Sequence, residues 1–441
     1  MASFRFFVTL AALLATLGAP LAEPANPATP HTAVEHLPWT RQAVIYQVNV
    51  RQYTPEGTLK ALVPELERIR SLGVDVIWLM PVQPIGSKGR KGTLGSYYSV
   101  RDYTAVNPEF GTLDDFKAVV RRAHELGMKV ILDWVANHTA LDHPWIDAHP
   151  DWYQKNARGE ITSYEYDDGH GNIEHWSDVA GLDYRVPALR AAMKDAMSFW
   201  VRETDLDGFR CDVAMRVPTD FWDDARSTLD RMKPMFMLAE AETPELAVHA
   251  FDMTYAWTLG NRFIAIGRGK ADATALVDYY RKPPVVQPTD SYSMLFTSNH
   301  DFNSWTGSDA ELYGPLSDAF SVLTYTLPGM PLIYGGQEAG YTRRLEFFEK
   351  DPIRWKTYAR APLYTWLSGL KHHHPALAAG EAGGRLEIIE TGNPEVFAFR
   401  RVKGRDVVTV AVNLSFERQR LKGVSGLSSL PPAGYRVTPA R

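Results

Sequence analysis

Short apolar runs with strand propensity alternate along this chain with longer segments in which apolar residues recur every three or four positions. Such runs predict strands, and the spacing of three and four predicts amphipathic helices. The first strand, helix, strand and helix are predicted at 43–50, 59–72, 74–81 and 113–126. Thr112 is a candidate N-cap of the second helix and Gly127 a candidate terminator, because these residue types favour helix starts and ends.

The same alternation continues to an eighth strand. The later predicted strands are 129–135, 208–212, 235–240, 252–259, 296–301 and Met330–Tyr334. A last helix is predicted near 362–373. Strands that are apolar almost throughout are buried on both faces, which is typical of parallel sheets covered by helices. The sequence therefore predicts an α/β fold in which eight strand–helix units close into a (β/α)8 TIM barrel.

Two segments depart from this alternation. Residues 138–183 follow the third strand, are rich in Gly, Asp and aromatic residues, and predict a small excursion over the barrel mouth. From about residue 380, short alternating runs predict a separate antiparallel β domain. The predicted division is a signal peptide 1–22, a linker 23–38, a barrel from 39–137 and 184–378, the excursion 138–183, and a C-terminal β domain 379–441.

The N-terminal residues have the pattern of a cleaved secretory signal. Arg5 precedes an apolar run at 6–17, and small residues stand around Ala19 and Ala22. The apolar run is too short to span a bilayer comfortably, so we expect a secreted or periplasmic protein without a membrane anchor after cleavage. A retained anchor or a poorly ordered tail is the alternative.

Composition narrows the classes of partner. The chain has 47 basic and 52 acidic residues, a net charge of −5, and no basic block, which argues against nucleic acid as a partner. The aromatic fraction of 12% suits neutral sugar polymers, since sugar rings pack their C–H faces on Trp and Tyr. The one cysteine, Cys211, excludes an internal disulfide. We expect Cys211 to be a small buried hydrophobe and not a nucleophile.

Three carboxylates close strand-like runs: Asp212, Glu240 and Asp301. Cleaving an acetal at neutral pH uses one ionised carboxylate that attacks and one protonated carboxyl that gives its proton to the departing oxygen. If the three strand ends converge, they form a glycosidase active site. Arg210 shares a strand face with Asp212, two residues away, and its positive charge is expected to lower the pKa of Asp212.

Five segments carry a family resemblance. They are SYYSVRDY at 96–103, DWVANH at 133–138, GFRCDVA at 208–214, LAE at 238–240 and SNHD at 298–301. In this order and with helix-sized spacing, they resemble the α-amylase superfamily, glycoside hydrolase family thirteen. The resemblance runs from about residue 43 to the chain end. It implies a retaining enzyme that acts on α-glucans through a covalent glycosyl-enzyme.

The resemblance also implies catalytic roles. Asp212 would attack the anomeric carbon, and Glu240 would serve as the acid/base. Asp301 would hold the substrate and stabilise the oxocarbenium-like state. Glu242 shares the strand face of Glu240 and is the alternative acid, although Glu240 stands where the apolar run ends.

Further residues are implied in substrate binding. His138 and His300 would donate hydrogen bonds to sugar hydroxyls, and Tyr98 would stack beneath the ring. Arg210 and Asp133 complete the predicted binding set. For Asp133 the alternative is that it only orients Arg210.

Departures from the family pattern bear on metal and substrate. Met215 and Arg216 stand where many α-amylases carry Lys-His. Calcium is a possible cofactor, and Asn137 remains as a possible ligand for it. A complete cage of oxygen ligands cannot be identified in the sequence. Ser99 replaces the Asp that many exo-acting α-glucosidases place after the Tyr, which favours internal cleavage.

The predicted function is therefore cleavage of α-glucosidic bonds, α-1,4 first, in starch-like glucans or maltooligosaccharides. An exo-α-glucosidase and a glucanotransferase use the same intermediate and are alternatives. A non-catalytic barrel that binds glucan or a protein is the alternative from another class, against which the clustered carboxylates argue.

Overall fold

The computed structural model describes residues 29–167 and 173–440. The predicted signal peptide and the first six residues of the predicted linker lie outside these ranges. Eight strands form a closed parallel barrel: β1 (Ile45–Val48), β2 (Val76–Leu79), β3 (Lys129–Trp134), β4 (Gly208–Cys211), β5 (Phe236–Ala239), β6 (Met253–Tyr255), β7 (Tyr292–Leu295) and β8 (Met330–Tyr334). Each strand pairs with its neighbours in chain order, and β1 closes the ring against β8. The predicted TIM barrel is confirmed.

Helices follow the strands around the ring. The α-helices of eight residues or more are Leu113–Glu125, Pro187–Thr204, Thr219–Asp230, Trp257–Gly267, Thr274–Arg281, Ser317–Thr326 and Ala361–His373. Shorter ones are Val50–Tyr53, Leu59–Leu62, Glu65–Ser71, Pro144–Ala148, Leu246–His249 and Asp309–Leu312. Thr112 caps its helix as predicted: its hydroxyl accepts the Asp115 N–H at 3.2 Å, and the Asp115 carboxylate accepts the Thr112 N–H at 2.9 Å. This reciprocal pair is a capping box.

Three predicted elements differ from the structure. The helix predicted over 59–72 is two short helices, because Pro64 has no N–H to donate to the carbonyl four residues earlier. The sixth strand ends at Tyr255, and Trp257 already begins a helix. The seventh strand is 292–295, so the run at 296–301, predicted as strand, lies beyond its carboxyl end.

The excursion after β3 is built from two small antiparallel pairs. One joins His138–Ala140 to Val179–Gly181, and the other joins Tyr164–Asp167 to Ile173–Trp176. The first pair begins four residues after β3 ends, so it stands at the carboxyl rim of the barrel. The excursion therefore borders the place where the predicted site residues meet.

The C-terminal segment forms an antiparallel sheet, as predicted. Its strands, in spatial order, are β9 (Arg385–Ile388), β10 (Val396–Lys403), β11 (Asp406–Asn413) and β12 (Tyr435–Ala440). Buried residues on its inner face, among them Phe397, Phe399 and Val410, belong to the same hydrophobic cluster as the barrel strands. The sheet thus packs against the barrel. Within residues 29–167 and 173–440, no helix combines the length and apolarity needed to cross a membrane.

Candidate active site

One guanidinium group organises the carboxyl rim of the barrel. Arg210, on β4, has no solvent exposure, and its Nη1 lies 3.0 Å from a carboxylate oxygen of Asp212. Its Nη2 lies 2.8 Å from Glu240, in an ion pair without the alignment of a hydrogen bond. Asp212 directly follows β4 and Glu240 directly follows β5, so two neighbouring strand ends deliver the pair. The predicted convergence of attacker and proton donor is thereby visible in the geometry.

Arg210 is itself fixed by hydrogen bonds to two residues of other barrel strands. Asp133 on β3 accepts from its Nη1 at 2.8 Å, and Tyr255 on β6 accepts from its Nε at 3.1 Å. Asp133 also accepts from the Trp78 indole and from the Tyr98 hydroxyl, both at 3.1 Å. Neither Arg210 nor Asp133 is exposed. This burial favours the alternative that Asp133 orients Arg210, and contact of either residue with substrate stays a prediction.

The backbone just after the attacker holds the candidate acid. The Val213 N–H donates to the Glu240 carboxylate at 2.8 Å, and Val213 has a φ of +35°. A left-handed φ at a β-branched residue is strained, and such strain concentrates at functional sites. Glu242 lies elsewhere, with its carboxylate bound by the Thr258 N–H and hydroxyl at 2.9 and 2.6 Å. Glu240, and not Glu242, therefore stands beside Asp212.

Burial and crowding raise the pKa values of three aspartates at the rim, Asp212, Asp133 and Asp301. Burial first, then the charge of Glu240, raises the pKa of Asp212 well above its usual range, although Arg210 opposes the shift. The sequence predicted that Arg210 lowers the pKa of Asp212. Arg210 does act in that direction, but the net shift of the Asp212 pKa is upward, so the prediction of a lowered pKa is wrong. Burial likewise raises the pKa of Asp133 to about 6, against Arg210. One buried cation cannot neutralise all of these groups, so the cluster retains protons at neutral pH.

Asp301 belongs to the same cluster but comes from the loop beyond β7. Its carboxylate lies 3.3 Å from the His300 Nε2, and its side chain is 34% exposed, the most open of the three predicted catalytic groups. Partial burial and the charge of Glu240 raise its pKa. Asp301 is thus near enough to Glu240 to feel its charge, and it is the carboxylate of the three with the most room to reach a bound sugar.

Two histidines beside the carboxylates are neutral donors. Burial lowers the pKa of His138 to about 4 and holds the pKa of His300 well below its usual value. The Asn137 amide donates to the His138 Nδ1 at 3.1 Å, and the Gln47 amide donates to the His300 Nδ1 at 2.7 Å. Each ring therefore carries its proton on Nε2. The predicted donation of these N–H groups to sugar hydroxyls stays a prediction, because the His300 Nε2–H already faces the Tyr98 hydroxyl.

Tyr98 lies flat beside His300. The two ring centroids are 5.5 Å apart at 22°, and the His300 Nε2 lies 2.7 Å from the Tyr98 hydroxyl. That hydroxyl in turn donates to Asp133. The chain of hydrogen bonds fixes the orientation of the Tyr98 ring, and the ring is half-buried at the cleft. Its predicted use as a stacking surface is compatible with this position.

The excursion contributes residues that the sequence did not single out for the site. Tyr166 stacks on Trp176 with centroids 4.9 Å apart at 6°, and Trp176 lies 5.4 Å from His138. The Arg216 guanidinium lies 4.7 Å above the Tyr166 ring. Only the approach of the excursion to the rim reveals Tyr166 and Arg216 as a pair beside the cleft.

Gln47, Trp78 and Tyr255 were also missed. They come from β1, β2 and β6 and fix His300, Asp133 and Arg210 from inside the barrel. Their one sequence signal is a polar or amphipathic residue inside an otherwise apolar strand. Many inward barrel residues share that pattern, so the signal does not select them.

Asn137 does not sit in a recognisable calcium cage. Calcium takes six to eight oxygen ligands, largely from carboxylates and carbonyls. The Asn137 side chain is buried and directed at His138. Within the described residues, the one compact group of three His, Asp or Glu side chains is His31, Asp290 and Glu381, away from Asn137. The residues around Asn137 therefore do not fit the predicted ion.

Comparison with known proteins decides the family. Residues 40–361 match the family model described as "Alpha amylase, catalytic domain". The chain belongs to the alpha-amylase family. This match covers most of the barrel and includes every residue discussed at the rim.

Individual relatives agree with this assignment. The chain is similar to an alpha-amylase crystal structure from Lactobacillus plantarum, with a TM-score of 0.81 and 30% identity over 91% of this chain and 100% of that one. It is 28% identical to an alpha-amylase of Haloarcula japonica over 86% of this chain and 56% of that protein. It is also 28% identical to an α-1,4-glucan:maltose-1-phosphate maltosyltransferase of Bifidobacterium longum over 78% of this chain and 48% of that protein. The chain thus spans about half the length of these two curated relatives.

Proposed function

We propose that the protein is a retaining glycoside hydrolase that cleaves α-glucosidic bonds, α-1,4 first, in starch-like glucans or maltooligosaccharides. The observation that carries the proposal is the junction of Asp212 and Glu240 on one buried guanidinium, with Asp301 nearby. A retaining glycosidase needs a carboxylate attacker and a carboxyl donor about 5 Å apart across the bond. Arg210 contacts both groups at 3.0 and 2.8 Å, which fixes their separation on that scale.

The first chemical step starts with Glu240 protonated and Asp212 ionised. Glu240 gives a proton to the glycosidic oxygen while Asp212 attacks the anomeric carbon, so the bond to the leaving sugar breaks and a glycosyl ester forms. The positive charge of Arg210, 3.0 Å from Asp212, favours the ionised form of Asp212 that attacks. Asp301 holds the sugar hydroxyls, and donation from His138 and His300 requires their Nε2–H groups to exchange Tyr98 for the sugar.

The second step regenerates the enzyme. Glu240, now ionised, takes a proton from an incoming water, the water oxygen attacks the anomeric carbon, and the ester to Asp212 breaks. A sugar hydroxyl in place of water would give transfer. That alternative is supported by the similarity to a maltosyltransferase, because both outcomes share one intermediate.

The chain's departures from the family bear on which end of the substrate is held. The Ser99 hydroxyl donates to the Asp178 carbonyl at 2.9 Å, and the side chain is buried. It therefore does not reach into the cleft to hold a terminal sugar. Tyr166, on which the Arg216 guanidinium packs at 4.7 Å, lies near enough to Glu240 to feel its charge, and we place the leaving sugar beside this pair. These features support internal cleavage of a chain.

The decisive test is a time course on maltoheptaose with the anomeric configuration followed by NMR. We expect shorter maltooligosaccharides released first as α-anomers, and longer products would instead indicate transfer. Glu240→Gln should lose about a thousandfold or more in kcat. The matched control Glu242→Gln, a half-buried carboxylate two residues away, should stay within about threefold of wild type. β-Anomers appearing first, or equal loss in the two variants, would overturn the proposal.

Export remains part of the proposal. The N-terminal pattern around 6–17 supports secretion or a periplasmic location. N-terminal sequencing of protein recovered outside the cytoplasm should begin just after Ala22. Recovery of the intact N-terminus would contradict it.

A further inference from the structure

A cavity of about 690 Å³ lies in the helical layer, outside the ring of strands. It opens between Glu65–Ser71 and the last barrel helix, Ala361–His373. The residues that matter at its wall are Arg68, Ser71, Tyr358, Pro362, Thr365 and Trp366. None of the three candidate catalytic carboxylates lines it. The cavity is therefore separate from the cleft at the rim.

Two aromatic rings at this cavity are exposed. Tyr358 is 41% exposed and Trp366 is 42% exposed, which places them among the few large hydrophobic side chains left open to solvent in the described residues. Burying such rings stabilises a protein, so two open rings at one cavity favour a ligand that covers them. The hydroxyl groups of Ser71 and Thr365, both exposed, border the same space.

The rings are held in place before any ligand binds. The Arg68 guanidinium lies 4.8 Å from the centre of the Tyr358 ring and 4.6 Å from the centre of the Trp355 ring. These two rings stack on each other, with centroids 5.8 Å apart and an interplanar angle of 28°. Arg68 is itself fixed by Glu338, a fully buried carboxylate 2.9 Å from its Nη1. A side chain fixed in this way loses little conformational entropy on binding.

Trp366 has its own support. Its ring stacks on Tyr435, at the start of β12, with centroids 6.3 Å apart at 23°. The C-terminal sheet therefore backs one wall of the cavity, and the barrel helices supply the other. Tyr358 and Trp366, each supported by a second ring, line one space that hydroxyl groups also border.

We propose that this cavity binds a stretch of α-glucan chain, with glucose rings packed on Tyr358 and Trp366. The inference rests on the proposed function, since it takes the polymer that the cleft would cleave. Sugar rings present apolar C–H faces to aromatic rings and hydroxyls to polar neighbours, which is what this wall provides. Because the cavity lies away from the carboxylates, binding there holds the polymer and raises its local concentration without changing the chemical step.

The binding test uses Asp212→Asn as the parent, so that the polymer is not degraded. Tyr358→Ala and Trp366→Ala together should weaken binding to starch granules, and retardation in gels containing soluble starch, by about three- to tenfold. Phe416→Ala is the matched control, because Phe416 is 58% exposed and lies outside the cavity. It should bind as the parent does. Equal binding by parent and double variant would overturn the inference.

A kinetic test separates this inference from the proposed function. In the otherwise wild-type enzyme, the double variant should keep kcat/KM on maltoheptaose within about twofold and lose about threefold or more on granular starch. Equal loss on both substrates would overturn the inference by tying the rings to the cleft. If wild type cleaves neither substrate, the proposed function fails, and the binding result still stands by itself. A shift of the double variant from dimer to monomer in gel filtration would show that a second copy covers the rings, and would also overturn the inference.

Discussion

Strand β4 has a buried aspartate beyond each end, and the two carboxyl groups have pKa shifts of opposite sign. Asp207, before the strand, is buried, yet hydrogen bonds from His124 and the Val130 N–H, together with Lys233, lower its pKa to about 2. Asp212, after the strand, has its pKa raised well above the usual range. Burial is common to both positions. The difference lies in the partners.

At the amino end of the barrel the charges balance. Asp207 lies 2.6 Å from His124, 2.9 Å from Lys233 and 3.2 Å from Lys129, and Lys233 also pairs with Asp205, so two lysines face two aspartates. At the carboxyl rim, one guanidinium serves several carboxylates. Balanced charge stabilises the fold, whereas unbalanced charge stores the protons that acid catalysis consumes. In this barrel, stability and chemistry are separated along the length of one strand.

The largest expected effect comes from the rim. Asp212→Asn should lower kcat by about a thousandfold or more, because the attacking carboxylate is gone. The free energy of unfolding should stay within about 1 kcal/mol of wild type, since Arg210 keeps Asp133 and Glu240 as partners. Rates on maltoheptaose and urea unfolding curves measure the two effects. A strongly destabilised variant would show that the rim also carries the fold.

The opposite end should give the opposite result. Asp207→Asn should lower the free energy of unfolding by about 2 kcal/mol, which is the worth of a carboxyl pKa displaced from 3.8 to about 2. The kcat of the folded protein should change by less than about twofold. Denaturant unfolding monitored by tryptophan fluorescence, with kcat corrected for the folded fraction, tests this. A large loss of kcat in folded Asp207→Asn would show that the amino end of the strand also contributes to catalysis.

Acid should weaken the balanced end selectively. The folded pKa of Asp207 lies below its ordinary value, so its contribution to stability is complete above pH 3.8 and is lost as pH falls toward about 2. Between these values the unfolding free energy of wild type should fall more steeply with decreasing pH than that of Asp207→Asn. The difference between the two curves isolates this residue from other carboxylates. Parallel curves would mean that Asp207 keeps its pKa on unfolding.

The smallest effect is expected on the outer side of the same strand. Cys211 is fully buried, as predicted, and burial raises the pKa of its thiol well above the usual value. Cys211→Ala should cost about 1 kcal/mol of stability and leave kcat within about twofold. Thermal unfolding and the maltoheptaose rate give both numbers. A loss of kcat at unchanged stability would place the thiol in the cleft.

The sequence predicted the barrel well, because each strand is a short apolar run between helical patterns. Its errors have local causes. The sixth strand was extended through Trp257 because the apolar residues continue from strand into helix without a break, and periodicity cannot divide such a run. The break at Pro64 had a signal in the sequence that the apolar spacing outweighed.

At the site, the sequence predicted which residues lie close together better than it predicted their pKa shifts. Arg210 and Asp212 are two apart on a strand, so their contact could be predicted from spacing alone. The net pKa shift of Asp212 depends on Glu240, from another strand, and on burial, neither of which spacing describes. Gln47 and Trp78 act on their partners only across the closed ring. Their roles required the fold.

The peptide that follows Asp212 has a mechanical consequence. The Val213 amide belongs to the same backbone as the attacking residue, and it grips the carboxyl of the proton donor. Any shift of the β4 terminus therefore carries donor and attacker together as one rigid unit. Small movements of the barrel rim can change the contacts to the sugar, while the distance between the Asp212 and Glu240 carboxyl groups stays constant.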